Sequence, residues 1–107
     1  MSTLNASDSG KTLHVAVGGS FTVRLSENGT AGYKWTAPEF DGAVLELQHD
    51  DTIAPPSDAA PGAGGAREFA FRVTAAGETK VETAYHRSWE PASAATTKFV
   101  ATIVAKG

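Results

Sequence analysis

The sequence of 107 residues contains no cysteine, which excludes disulfides, thiolate metal sites, iron–sulfur clusters and a cysteine nucleophile. It also lacks an excess of positive charge, because 12 acidic residues outnumber 9 lysine and arginine residues and give a formal net charge of -3. A nucleic acid is therefore not expected as a partner, since phosphate binding needs a basic surface. No run approaches about 18 consecutive apolar residues, so neither a membrane span nor a membrane partner is predicted.

The N-terminal segment is polar and lacks the charged start and apolar run of a signal segment. We expect residues 1–10 to form a flexible tail that contributes little to packing, and residues 11–107 to form a single domain. The compartment is left open by the sequence: cytoplasmic, or secreted or periplasmic if a leader has been removed.

Apolar and polar side chains alternate in six segments after Lys11, and a seventh segment is rich in β-branched and aromatic residues; both patterns are typical of β-strands. No window shows the 3.6-residue apolar stripe of a helix. We therefore predict an all-β fold, an immunoglobulin-like β-sandwich of about seven strands with Trp35 on the third, short strand. The segments are Thr12–Val17, Phe21–Ser26, Tyr33–Ala37, Leu45–Gln48, Glu68–Val73, Lys80–Tyr85 and Lys98–Ala105.

The connections between these strands differ in length, and in an up-and-down sandwich alternate connections fall at opposite ends. The first, third and fifth are mostly tight, and the second, fourth and sixth hold most of the irregular sequence. Loops grouped on a rigid framework commonly form binding surfaces, so three binding loops are expected at one end. The second, fourth and sixth connections are Asn28–Gly32, Asp50–Ala66 and Arg87–Thr96.

Two of these connections are rich in glycine. In Asn28–Trp35, two glycines flank an exposed tip at Thr30, although Asn-Gly between apolar runs is also typical of a simple hairpin turn. Gly62–Gly65 precedes a strand and not a helix, which excludes a phosphate-binding loop. This segment is either a hinge or a backbone without side chains against which a partner can lie.

The sixth connection carries Arg87 and Trp89, a pair typical of binding hot spots, although Trp89 can alternatively fold back to cap the sandwich. The histidines at positions 14, 49 and 86 have no metal-ligand spacing, and we expect them to be solvated. No serine lies in a nucleophile elbow. The sequence thus predicts a protein that is not an enzyme and that needs no metal or other cofactor.

The three connections together resemble the chagasin family of cysteine-peptidase inhibitors. The family patterns are Asn-Pro-Thr-Thr-Gly-Tyr/Phe-x-Trp, Gly-x-Gly-Gly and Arg-Pro-Trp/Phe. They align with Asn28-Gly29-Thr30-Ala31-Gly32-Tyr33-Lys34-Trp35, Gly62-Ala63-Gly64-Gly65 and Arg87-Ser88-Trp89. The chain departs from the family at Gly29 and Ser88, which replace prolines, at Ala31, which replaces a threonine, and at Pro61, which stands where relatives often carry a larger apolar residue.

The resemblance implies a monomeric, reversible inhibitor of papain-like cysteine peptidases (clan CA, family C1) that occludes the active-site cleft with three loops. By position, Thr30 approaches the catalytic residues of the peptidase, the backbone from Gly62 to Gly65 lies along the non-primed side, and Arg87 and Trp89 pack on the primed side. The implied peptidase-binding residues are Asn28, Gly29, Thr30, Ala31, Gly32, Tyr33, Pro61, Gly62, Ala63, Gly64, Gly65, Arg87, Ser88 and Trp89.

The residues alone leave two alternative functions, of which the second has no support from the spacing of the histidines or the position of any serine. The first is a non-inhibitory immunoglobulin-like module for adhesion or sugar binding that uses the same end of the sandwich. The second is a hydrolase or metalloprotein that uses the histidines.

Overall fold

The computed structural model describes residues 2–27, 33–53, 65–87, 89, 91 and 97–107. In these ranges no helix is long and apolar enough to cross a membrane. The described ranges contain one 3₁₀ turn, Ala6–Asp8, and eight strands. The strands are β1 (Ser2–Leu4), β2 (Thr12–Ala16), β3 (Ser20–Glu27), β4 (Tyr33–Trp35), β5 (Leu45–Ile53), β6 (Gly65–Val73), β7 (Gly77–Arg87) and β8 (Thr97–Lys106).

The strands form two four-stranded sheets, with the orders β1-β3-β6-β5 and β2-β8-β7-β4. All pairs are antiparallel except the outer pairs β1–β3 and β2–β8, which are parallel. All seven strands expected from the alternation are present, and the predicted immunoglobulin-like sandwich is confirmed. Because β3 and β4 lie in different sheets, the hairpin interpretation of the connection between them is wrong.

The core lies between the sheets and follows from the period of two along each strand. On β3 and β6 the odd-numbered residues from Phe21 to Leu25 and from Phe69 to Val73 are fully buried. The rings of Phe21 and Phe71 stack with centroids 5.1 Å apart, and Phe40 meets Phe71 edge-on at the same distance. From the other sheet, Phe99 and Ile103 of β8 are buried against this layer.

The N-terminal segment corrects the expectation that residues 1–10 contribute little to packing. Ser2–Leu4 pair with Phe21–Val23, and the Leu4 side chain is only 8% exposed in the core. Asn5 then caps the 3₁₀ turn by a capping box with Asp8. The turn connects an edge strand of one sheet to an edge strand of the other, so ordered structure begins before Lys11.

Several strand boundaries differ from the alternation pattern, and those beside the long connections bear on the site. β5 is longer than the predicted segment Leu45–Gln48 and runs nine residues to Ile53, so it includes His49. A bulge between Leu47 and His49 shifts its register against β6. Gly65 and Arg87, predicted in connections, are the first residue of β6 and the last residue of β7.

The tight connections meet at one end of the sandwich, which we call the turn end. The N–H of Gly18 donates to the carbonyl of Val73 at 2.8 Å, and the N–H of Val73 donates to the carbonyl of Gly19 at 2.9 Å. The N–H of Thr74 donates to the carbonyl of Val44. Gly18 has φ +88, a left-handed conformation that glycine adopts without strain.

Candidate functional site

The long connections share the opposite end of the sandwich, which we call the loop end. In the first sheet, Glu27 at the end of β3 pairs with Gly65 at the start of β6, and Ile53 at the end of β5 pairs with Ala66. In the second sheet, Tyr33 at the start of β4 pairs with Arg87 at the end of β7. β8 begins there too, because its first residue pairs with Tyr85. The predicted grouping of the second, fourth and sixth connections at one end is therefore confirmed by their flanks.

Most of the predicted binding residues lie outside the described residues, and their role stays a prediction. The four that are described are Tyr33, Gly65, Arg87 and Trp89, and the first three are strand residues that border the loop end. Those outside the described residues are Asn28, Gly29, Thr30, Ala31, Gly32, Pro61, Gly62, Ala63, Gly64 and Ser88.

Trp89 is the most exposed large apolar side chain in the described part of the chain, at 68%. The alternative that it folds back to cap the sandwich is therefore wrong. The guanidinium carbon of Arg87 lies 5.9 Å from the centre of the Trp89 ring, within cation–π range. An exposed indole beside an arginine is the composition of a binding hot spot, and here it adjoins the loop end.

The base of the loop end is built around Trp35, the last residue of β4. Its indole N–H donates to the carbonyl of Ser26 at 2.9 Å, and its ring lies 4.9 Å from the ring of Tyr85 on β7. The backbone N–H of Trp35 donates to the carboxylate of Glu27 at 3.0 Å. Trp35 thus connects the two sheets beneath the first of the three connections.

Arg67 on β6 completes this base. Its Nη1 donates to the carbonyl of Trp35 at 3.1 Å and lies 3.8 Å from a carboxylate oxygen of Glu27. Its Nε and Nη2 donate to the two carboxylate oxygens of Asp50 on β5, a bidentate pair. The hydrogen bonds to Asp50 raise the pKa of the Arg67 guanidinium above its usual value, and the nearby charges of Asp50 and Glu27 act in the same direction.

Sequence analysis did not single out Glu27, Asp50 or Arg67, although two of them carry a readable signal. Glu27 continues the inward-facing odd positions of β3, and Arg67 precedes those of β6. A charged residue at a core-facing position must be paired, which predicts an ion pair between neighbouring strands. Asp50 carries no such signal, because only the bulge in β5 brings it opposite Phe69.

The histidines divide into two groups. His14 and His49 are exposed, as expected, but His86 is half-buried, which corrects the prediction that all three are solvated. Its Nδ1 lies 2.7 Å from the carbonyl of Arg87, and its Nε2 is buried without a hydrogen-bond partner. Among the described residues, no group of three or more histidine, aspartate or glutamate side chains is arranged to hold a metal ion.

A sandwich that groups its long connections at one end, beside an exposed tryptophan, defines a class: an immunoglobulin-like binding domain. Comparison with solved structures shows the same fold. EhICP2, a cysteine protease inhibitor from Entamoeba histolytica, superimposes with a TM-score of 0.87 at 23% identity, covering 97% of this chain and 94% of that one. PbICP-C, solved in complex with falcipain-2, superimposes with a TM-score of 0.73 at 13% identity, covering 99% of this chain and 100% of that one.

Sequence comparison identifies the family. Residues 14–103 match the chagasin family of peptidase inhibitors, I42. Chagasin of Trypanosoma cruzi is 35% identical over 86 residues, which cover 75% of this chain and 76% of that protein. The chain belongs to the chagasin family, and it is therefore a cysteine-peptidase inhibitor and not an enzyme, as the resemblance implied.

Proposed function

We propose that this protein is a monomeric, reversible inhibitor of papain-like cysteine peptidases that occludes the active-site cleft with the loop end. Residues 11–107 act as one inhibitory unit in this proposal, together with β1, whose Leu4 lies in the same core. Residues 28–33 and 61–65 form two of its contact segments, and Arg87, Ser88 and Trp89 belong to the third.

The observation that carries the proposal is the convergence of three connection flanks beside an exposed Trp89. Backbone pairing joins the flanks of the connection at 28–32 directly to flanks of the other two connections, Glu27 with Gly65 and Tyr33 with Arg87. An aromatic side chain that is 68% exposed is costly to leave in water, and an aromatic anchor is typical of the centre of a protein interface. Family membership supplies the class of partner, a peptidase.

Blocking a cleft in this way requires no chemistry from the inhibitor. The connections fill the cleft without offering a carbonyl group in the geometry for attack, so the bound segment is not cleaved. An interface of about 800 Å² on each partner is sufficient for nanomolar affinity if the loops lose little entropy on docking. The affinity is then determined by the contacts of a few anchor residues and by how rigidly the base of the loop end holds the connections.

Titration against papain and a cathepsin L-type peptidase tests the proposal. We expect stoichiometric, competitive and reversible inhibition, with the protein intact after prolonged incubation. Absence of inhibition at micromolar protein across several such enzymes would overturn it. Binding to a glycan or to a non-peptidase protein through the loop end, without inhibition, would instead favour an adhesion module.

The substitution Trp89→Ala tests whether the loop end is the binding surface. We expect the inhibition constant to rise at least about tenfold, because an aromatic anchor typically contributes more than 1 kcal/mol. A matched control is Val17→Ala, since Val17 is also an exposed large apolar residue, at 41%, and its N–H bonds to Lys106 near the turn end. Equal effects of the two substitutions would contradict binding through the loop end.

A further inference from the structure

One cluster of side chains joins the strands that flank two of the three connections. Glu27 is the last residue of β3, and Trp35 lies two residues after Tyr33, the first residue of β4, so these residues lie on either side of the connection at 28–32. Asp50 lies near the end of β5 and Arg67 near the start of β6, so these residues flank the connection at 54–64. We call Glu27, Asp50, Arg67 and the backbone of Trp35 the stem cluster.

The stem cluster bonds to backbone groups of β4 that a neighbouring strand would otherwise pair with. β4 is an edge strand of the second sheet, and pairing with a further strand would normally satisfy the outer backbone groups of its residues. Here the N–H of Trp35 donates to Glu27 at 3.0 Å, and its carbonyl accepts from Arg67 at 3.1 Å. Both partners belong to the first sheet, so side chains of one sheet hold the edge of the other.

Arg67 contributes a geometry that no other cationic side chain offers. Its planar guanidinium donates two hydrogen bonds to Asp50 on β5 and a third to the backbone of β4. Because the directions of these donors are fixed relative to one another, the position of β4 is coupled to the position of β5. A lysine retains the charge but has a single nitrogen and cannot reproduce this three-way contact.

We propose that the stem cluster is a positioning device, in which Arg67 and Asp50 hold the stems of the connections at 28–32 and 54–64 in the relative arrangement that binds the peptidase. The proposal rests on the proposed function. Neither residue needs to touch the peptidase. If the stems move apart, a smaller fraction of molecules is competent to bind. The association rate constant then falls in proportion to that fraction, while the rate constant of dissociation from the formed complex is little changed.

The test compares Arg67→Lys and Asp50→Asn with Arg24→Lys in the full chain. Arg24 is a matched control, because its ion pair with Glu68 at 3.3 Å joins β3 and β6, the same strands that carry Glu27 and Arg67, but lies on the opposite, more exposed face of that sheet. Three properties are measured: hydrogen exchange of the Trp35 backbone amide in the free protein, the thermal unfolding midpoint, and the association and dissociation rate constants with papain.

We expect exchange of the Trp35 amide to accelerate about tenfold in Arg67→Lys and Asp50→Asn, because local opening requires less free energy. We expect association to slow by about tenfold in the same variants, in proportion to the competent fraction, with dissociation changed less than about twofold. Arg24→Lys should leave all three properties near those of the wild type.

Two results would overturn the proposal. One is unchanged association in Arg67→Lys and Asp50→Asn despite faster exchange at Trp35. The other is slower association in all three variants in parallel with their unfolding midpoints, which would indicate a general loss of stability.

Failure of the proposed function is separately visible, since the wild type would then not inhibit papain. In that case unchanged Trp35 exchange still overturns the positioning role, and accelerated exchange supports it.

Discussion

The two ends of the sandwich are held together by different kinds of interaction. At the turn end, backbone groups bond to one another, as between Gly18 and Val73, and uncharged threonine side chains add to these bonds. At the loop end, charged side chains bond to the backbone, as Glu27 and Arg67 do to Trp35. Short connections allow the main chain to close on itself, whereas β4 is an edge strand whose outer backbone groups at Trp35 are satisfied by side chains. The end that supports recognition thus depends on specific side chains.

A substitution in the shared core should weaken both ends together and gives the largest expected effect. Phe71→Ala removes a fully buried ring that contacts Phe21 and Phe40. We expect a loss of about 3 to 5 kcal/mol in the free energy of unfolding, because the cavity adds to the lost transfer energy. Urea denaturation measures the change. A loss below about 1 kcal/mol would mean that the ring is not a central part of the core.

Arg67→Met should selectively destabilise the loop end. It leaves the carboxylate of Glu27, which is 5% exposed, without its cation. We expect a loss of about 3 kcal/mol in the free energy of unfolding, because an unpaired buried charge is strongly unfavourable.

Two companion variants make this test specific. Arg24→Met removes an exposed pair and should cost less than about 1 kcal/mol. Adding Glu27→Gln to Arg67→Met should restore part of the loss, since it removes the unpaired charge. Equal effects of Arg67→Met and Arg24→Met would contradict the distinction between the buried ion pair at the loop end and the exposed pair on the same strands.

Gly18→Ala should affect the turn end alone. At φ +88 an alanine is strained, and we expect a loss of about 1 to 2 kcal/mol in stability. The inhibition constant should be unchanged, the converse of Trp89→Ala. Gly42→Ala is the control, because a Cβ added at position 42 would have no other atom within 4 Å and the φ of Gly42 lies outside the left-handed region. Inhibition weakened by Gly18→Ala in molecules that remain folded would show that the ends are coupled.

The smallest effect is expected at the 3₁₀ turn that crosses between the sheets, away from either end. The N–H of Asn5 and then the side chain of Lys11 lower the pKa of Asp8. A carboxylate with a lowered folded-state pKa stabilises the protein above its unfolded pKa, near 3.9, and the stabilisation disappears as the pH falls through the folded value.

Asp8→Asn should therefore reduce stability at neutral pH but not at pH 2, as followed by urea unfolding at both values. Lys11→Met should act in the same direction, because the hydrogen bond and the charge of Lys11 both lower the pKa of Asp8. A difference between Asp8→Asn and the wild type that is equally large at both pH values would contradict an ionic origin.

Much of the fold was readable because the period of two is a local property. The alternation from Phe21 to Leu25 and from Phe69 to Val73 identified strands with one buried face. The order of tight and long connections predicted which of them share an end. The expectation that residues 1–10 contribute little to packing failed, because a three-residue strand is too short to show a period of two. Leu4 is buried because β1 pairs with β3, a contact between residues distant in the chain.

The candidate site was likewise predictable from the sequence only in part. The sequence by itself determined the strands, the grouping of three connections and the family motifs, since these depend on residue types and spacing along the chain. Only the tertiary structure decided that β3 and β4 belong to different sheets, that a bulge brings Asp50 to Arg67, and that Trp89 stays exposed. The physical reason is that register and sheet membership arise from contacts between residues distant in the chain, which no local pattern records.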